Sequence, residues 1–257
     1  MVLFNEKAME LDEKQFNLQM DIYSHDIHSM LDMYTESCYM EETSPNKDEK
    51  ATKSTEKTSI LKTIVAKLKS LIGKIGEMID AFRASVESKK KNLTAEEYMG
   101  SETARIQFAY DLAAIQREVD AEYLEARKIV SGISKITNVP VEKVANFCDR
   151  MEQKIHDNKS KILPAGKAIV TTVAIEKTRN AVRDSIYKSK DITARSKKLI
   201  DDFDKAIGVE PKKEDDPETD KKLSVMTRFM TVVGKLEKKW MRVSNTLDSE
   251  LKRAMKK

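Results

Sequence analysis

The sequence predicts an all-α protein, an elongated bundle of long amphipathic helices with no β-sheet. Three observations carry that expectation. Over residues 60–86 the apolar side chains Ile60, Ile64, Leu68, Leu71, Ile75, Ile79, Phe82 and Val86 stand four, four, three, four, four, three and four apart, a pattern that closes every eleven residues. Eleven residues in three turns is about 3.67 per turn, so these residues form one nearly straight stripe on a helix. Seven Gly and five Pro in 257 residues, with 35% of the chain charged, suit long helices with solvated outer faces. Near the C-terminus a seven-residue rule appears: Met226, Val233, Trp240, Leu247 and Ala254 recur, with Phe229, Leu236 and Val243 three positions behind the first three.

Taken in order, residues 1–41 read as an acidic first helix. Phe16, Met20, Tyr23, Ile27, Met30, Tyr34 and Cys38 fall at helical spacing, and Leu18, Ile22, Leu31 and Met33 widen the apolar surface beyond one side. Packing in the chain's own core explains the first set; a soft, Met-containing surface for another chain is the alternative use of so wide a face. Residues 42–58 include Pro45 and no large apolar side chain, so they are expected to be a flexible linker. Residues 59–207 are the expected bundle core. Its first helix takes Ser59 as a cap, and Gly73 and Gly76 in mid-helix, each costing about 1 kcal/mol relative to Ala, point to close approach of a neighbouring backbone.

Thr94 and Glu97 have capping-box spacing, with Leu93 and Tyr98 placed as a staple. Phe108, Leu112, Ile115, Val119, Tyr123, Ala126, Val130 and Ile133 then restore the eleven-residue rule. A helix over residues 94–138, about 65 Å long, is therefore expected to fold back on its predecessor as an antiparallel hairpin. Pro140 ends it and suits the first turn of a shorter helix bearing Val144, Cys148, Met151 and Ile155. A fifth helix runs to Ile207, and the polar text of residues 176–198 predicts weak packing at its middle. Residues 208–220, with Pro211 and Pro217, read as a second linker, and residues 221–257 as a basic heptad helix with the only tryptophan, Trp240, on its seam.

The net charge of +4 hides a polarised chain. Residues 1–56 hold five Lys against thirteen acids, or −8, while residues 221–257 hold eleven Lys or Arg against three acids, or +8. Such ends can orient helices within a bundle, join copies, or present a basic surface to an anionic partner. Lys62, Lys67, Lys69 and Lys74 on one helix and Lys238, Lys239 and Arg242 on another are the candidate anionic-partner contacts.

Chemistry-bearing motifs are weak. His25 and His28, flanked by Asp21 and Asp32, lie along one helix side, but no Glu-x-x-His element offers a second set of ligands, so no metal is expected. Lys167 lacks the upstream glycine and following hydroxyl of a phosphate loop, and no G-x-S-x-G is present. Cys38 and Cys148 form no metal or redox pair and are expected as free thiols in the cytoplasm. No catalytic residue and no cofactor is assigned. The N-terminus has no signal-peptide pattern, and no apolar run reaches the roughly 18 residues of a membrane span.

The acidic first helix, the polar stretch and the run Thr-Ser-Ile-Leu-Lys-Thr-Ile-Val-Ala-Lys-Leu-Lys-Ser-Leu-Ile-Gly-Lys-Ile-Gly of residues 58–76 together resemble the helical structural or internal virion proteins of tailed bacteriophages of Gram-positive hosts. The resemblance covers about the first 90 residues and rests on style, with no diagnostic motif. It implies an assembled, non-catalytic protein, located in the virion, and it transfers no functional residue. The leading expectation is therefore a structural or interaction protein whose partners are other proteins, either further copies of itself or other assembly components. Its interface residues would be the stripe at residues 60–86, Phe108, Leu112, Val119, Tyr123 and Val130, and the seam of Val233, Trp240 and Leu247. The alternatives are a peripheral membrane protein using residues 60–82 as an interfacial helix, and a sequence-independent nucleic-acid binder using the C-terminal helix.

Overall fold

A computed structural model describes residues 2–43, 47–91, 105–162, 168–209 and 218–255. Its elements are α1 (Val2–Thr43), α2 (Lys47–Lys91), β1 (Arg105–Phe108), α3 (Leu112–Ser131), a 3-10 turn (Ile136–Asn138), α4 (Val141–Ile162), β2 (Ala168–Thr171), α5 (Thr172–Val209) and α6 (Thr219–Met255). With 42 and 45 residues, α1 and α2 reach about 63 and 68 Å. The fold is all-α but for one short ribbon.

The helices close two four-membered rings that share a wall. In the first, α1 packs on α2, α2 on α5, α5 on α6 and α6 on α1; in the second, α3 and α4 pack on each other and lie against α5 and α6 respectively. Ion pairs show that neighbours in the first ring run antiparallel. Asp26 meets Lys67 and Tyr23 meets Lys74 between α1 and α2; Lys69 meets Asp204 and Asp80 meets Lys190 between α2 and α5. Glu13 meets Arg242 and Asp21 meets Lys235 between α1 and α6, and Arg179 meets Asp248 between α5 and α6.

Helix α6, part of the shared wall, is buried on nearly all sides. Leu223, Met226, Phe229, Met230, Val232, Val233, Leu236, Trp240 and Leu247 all lie in the core, which is what a helix apolar around its circumference requires. The eleven-residue stripe of α2 also faces inward: Ile64, Leu68, Leu71, Ile75, Ile79, Phe82 and Val86 are buried and Ile60 is half-buried.

Several expectations need correction. Helix α2 does not pair with the third helix; among the described residues its partners are α1, α5 and α6. Periodicity identified the apolar side of α2 without identifying what covers it. The third helix is also much shorter than 94–138. Asp111 caps it by accepting the Ala114 N–H at 3.0 Å, and Gly132 closes it through bonds to the Lys128 and Ile129 carbonyls. Ahead of Asp111 the chain is a strand, not a helix: β1 pairs antiparallel with β2, Ile106 opposite Val170 and Phe108 opposite Ala168. Phe108 is buried as foreseen, but from a strand. The capping box at Thr94 and Glu97 lies outside the described residues.

Residues 47–58, expected within a flexible linker, form the first turns of α2, so Ser59 is no cap. Lys, Glu and Ala, good helix formers, dominate the segment, and no Gly or Pro follows Pro45 to stop it. Of the second expected linker, residues 210–217 lie outside the described residues. The middle of α5 is not weakly packed either. Val182, Ile186 and Ile192 are buried, and so are Thr178, Ser185, Ser189, Thr193 and Ser196, whose small hydroxyl side chains fit the crowded shared wall.

The glycine expectation reverses. A Cβ added at Gly73 or Gly76 would meet no atom within 4 Å, whereas one at Gly234 would come within 3.2 Å of Ile75 and 3.3 Å of Met20 Sδ. Gly234 is thus the tight crossing of α1, α2 and α6. Replacing Gly73 or Gly76 by Ala should raise stability by up to about 1 kcal/mol each. Gly234→Ala should gain less than either, because overpacking against Ile75 and Met20 offsets the same propensity gain. Denaturant unfolding of the three variants measures all of these, and a Gly234→Ala protein stabilised as much as the other two would contradict the crossing.

Candidate functional site: a closed polar core and an open face of α1

The candidate contacts for an anionic partner are mostly occupied within the chain. Lys67 reaches Asp26 at 3.1 Å, and Lys69 bridges Asp201 at 2.8 Å and Asp204 at 2.7 Å, partners that raise its pKa. Lys74 bonds the Tyr23 hydroxyl and lies 4.1 Å over its ring. On α6, Lys238 pairs with Asp12 at 2.6 Å and Arg242 with Glu13 at 2.8 Å, while Lys239 points into the core. Lys62 is exposed. The acidic first helix and the basic last helix thus neutralise each other along their antiparallel contact.

Under that contact lies a buried polar cluster between α3 and α6. Glu122 accepts from Lys239 Nζ at 3.1 and 3.2 Å and from Trp240 Nε1 at 2.7 Å. Both charged partners are almost fully enclosed, at 1% and 2% exposure. Burial pulls the Lys239 pKa below its ordinary value against the opposing attraction of Glu122. At the cluster's edge Lys154 sits 2.8 Å from Glu118, whose pKa its hydrogen bond lowers, and 3.8 Å from Glu122. Trp240, foreseen as an interface anchor, is therefore an anchor inside its own chain.

One turn away, Tyr123 donates to Glu237 Oε2 at 2.8 Å. Ser189 abuts the same carboxyl but spends its hydroxyl proton on the Ile186 carbonyl, and Glu237 Oε1 has no hydrogen-bond partner. Desolvation drives the Glu237 pKa up to about 8, so the acid is protonated at neutral pH. Periodicity could not have found it, because Glu237 stands among charged neighbours in a run that reads as a solvated face. The cluster locks α3 to α6.

The remaining candidate groups are also engaged or apart. His28 uses both ring nitrogens, Nδ1 at 2.6 Å from the Ser24 carbonyl and Nε2 at 2.9 Å from Ser224 Oγ, while His25 is exposed. Among the described residues no group of three or more His, Cys, Asp or Glu could hold a metal ion. Cys38 is half-buried and Cys148 is buried, its thiol pushed up to about 12 by desolvation. Among the described residues no helix is long and apolar enough to cross a membrane.

Among the described residues, most of the exposed large apolar side chains lie on α1, and five of them share its outer face. Leu11, Leu18, Ile22, Met33 and Met40 are each more than half exposed. Leu11, Ile22 and Met33 are eleven residues apart, and so are Leu18, Ser29 and Met40. At 100° per residue the five apolar side chains fall within about 60° of one another, opposite the inward Met20, Ile27 and Leu31. The wide apolar surface foreseen for α1 is therefore two seams, one in the core and one toward solvent.

The buried acid yields a pH test. Because the folded pKa of Glu237 lies near 8 and the ordinary value is 4.5, the folded state holds this proton more tightly than the unfolded state. Its contribution is complete below the ordinary value and is lost as pH rises through the folded value. Thermal unfolding should show stability falling by a few kcal/mol between these limits, and Glu237→Gln should remove most of the fall. Parallel pH profiles for parent and variant would contradict the assignment. Compared with known proteins, the chain matches no protein-family model, no curated protein and no solved structure.

Proposed function

We propose that the protein is a non-catalytic structural interaction protein that assembles with other protein chains through helix α1. The exposed eleven-residue seam of α1 carries this reading. Exposed apolar residues scattered singly are ordinary, but five in phase on one side of one helix, over residues 11–40, make a seam, interrupted by Ser29 and Glu36, of the kind that marks a protein contact. The strip also repeats the spacing by which α2 packs in the core, so it has the geometry another helix can cover. A place within a phage particle is the setting implied by the resemblance of the first 90 residues.

The two alternatives lose their main support. The apolar side of residues 60–82 is turned into the bundle, which leaves little for a lipid interface to bury. Lys238 and Arg242 are held by Asp12 and Glu13, and Lys239 is enclosed, so the C-terminal helix offers few cations to phosphates.

Light scattering of the full chain at micromolar concentration should give a mass above one chain, and Leu18→Glu with Ile22→Glu should return it to one chain without loss of helicity. A parent mass of one chain throughout that range would contradict the proposal. Addition of duplex DNA or anionic vesicles at low salt should leave mobility and sedimentation unchanged; salt-sensitive binding of either would favour the corresponding alternative.

A further inference from the structure

Resting on the reading that α1 is an assembly surface, we infer that the occupant of its outer face is a second copy of this chain, held in an antiparallel two-fold pair centred between His25 and Asp26. The seam is its own complement about that point. Counting outward, Ile22 comes opposite Ser29, Leu18 opposite Met33 and Leu11 opposite Met40, so each large residue of the seam meets a seam residue of the other copy, while Tyr39, exposed beside the seam, comes opposite Asp12. A two-fold interface uses the same patch on both copies; when the axis crosses the helices the pair is antiparallel, and a seam that matches itself on reversal fits that arrangement. Parallel pairing instead stacks Ser29 on Ser29 and Glu36 on Glu36 in the seam.

Charge supports the same partner. An acidic helix would ordinarily select a basic one, but the two carboxylates that flank the middle of the seam already carry counter-ions from their own chain, Asp21 from Lys235 and Asp26 from Lys67. At the ends, reversal brings Lys14 of one copy near Glu36 of the other, twice by symmetry. The seam from Leu11 to Met40 is about 44 Å long, and with a helix width of about 10 Å the pair would cover on the order of 1,000 Å² in all, near the lower bound for a specific interface. Association in the micromolar range follows, with one helix from each copy forming the joint.

Cysteine pairing tests the register. In a Cys38→Ser background, with Cys148 buried, Leu18→Cys and Met33→Cys proteins are prepared separately, then oxidised alone and as an equal mixture. The antiparallel pair predicts a disulfide-linked species of two chains in the mixture, containing one chain of each kind, and little in either protein alone. Efficient linkage of Leu18→Cys to itself would show parallel pairing and overturn the inference while leaving assembly through α1 standing. Association of the uncrosslinked chain with no linkage in any combination would place the contact elsewhere, overturning the inference and removing α1 from the assembly surface. A mass of one chain by light scattering, with no linkage, would overturn both readings at once.

Discussion

A helix enclosed on almost every side cannot leave a charge without a partner, and α6 carries eleven basic residues with its flanks over residues 221–257. That constraint organises the rest of the structure. Where Lys239 enters the core, Glu122 of α3 must be there to meet it, and Trp240 adds a second donor to the same carboxylate. Removing one member of such a pair strands the other in a poor solvent, at a cost of about 3–5 kcal/mol, whereas the intact pair adds little net stability. The lock therefore specifies position more than it supplies energy. It fixes α3 against α6, and so fixes the second ring against the shared wall.

The outer charges of α6 specify orientation in a gentler way. Lys235, Lys238 and Arg242 find Asp21, Asp12 and Glu13 on α1 only when the two helices run antiparallel. The pairs to the exposed Asp21 and Asp12 are each worth about 1 kcal/mol or less, while Arg242 meets the buried Glu13, whose pKa burial raises; the apolar contact of Met20 and Ile27 with the core supplies most of the holding energy. Folding thus pairs three acids of α1 with three basic residues of α6. Beside these pairs α1 keeps its second, exposed apolar seam.

Much of this was legible in the residues. The core stripe of α2 and the heptad of α6 were both assigned to the right faces because burial imposes a period. What periodicity does not encode is the neighbour: α2 was matched to the next helix with the same rule, while its real partners are α1 and, across a long stretch of sequence, α5. The first strand escaped because it is only four residues long and its last residue, Phe108, also begins an apolar series that fits a helix. Ser189, Thr193 and Ser196 belong to the polar text that predicted weak packing, although in a tightly packed wall a small hydroxyl can bond its own helix, as Ser189 does with Ile186. The lysines of α6 looked available for an anionic partner because their counter-ions lie some two hundred residues earlier, beyond any local pattern. The outer seam of α1 was visible as excess width, and only the fold could separate it from the inner one.

α6 is the closed centre of the molecule, and we propose the outer face of α1 as its contact surface. Hydrogen exchange followed along the chain at low and high protein concentration tests both in one measurement. The account predicts that amides of α6 exchange last at either concentration, since every route to exposing them opens both rings, while amides of α1 slow as concentration rises. Exchange of α6 as fast as that of the peripheral helices, or an α1 indifferent to concentration, would contradict it.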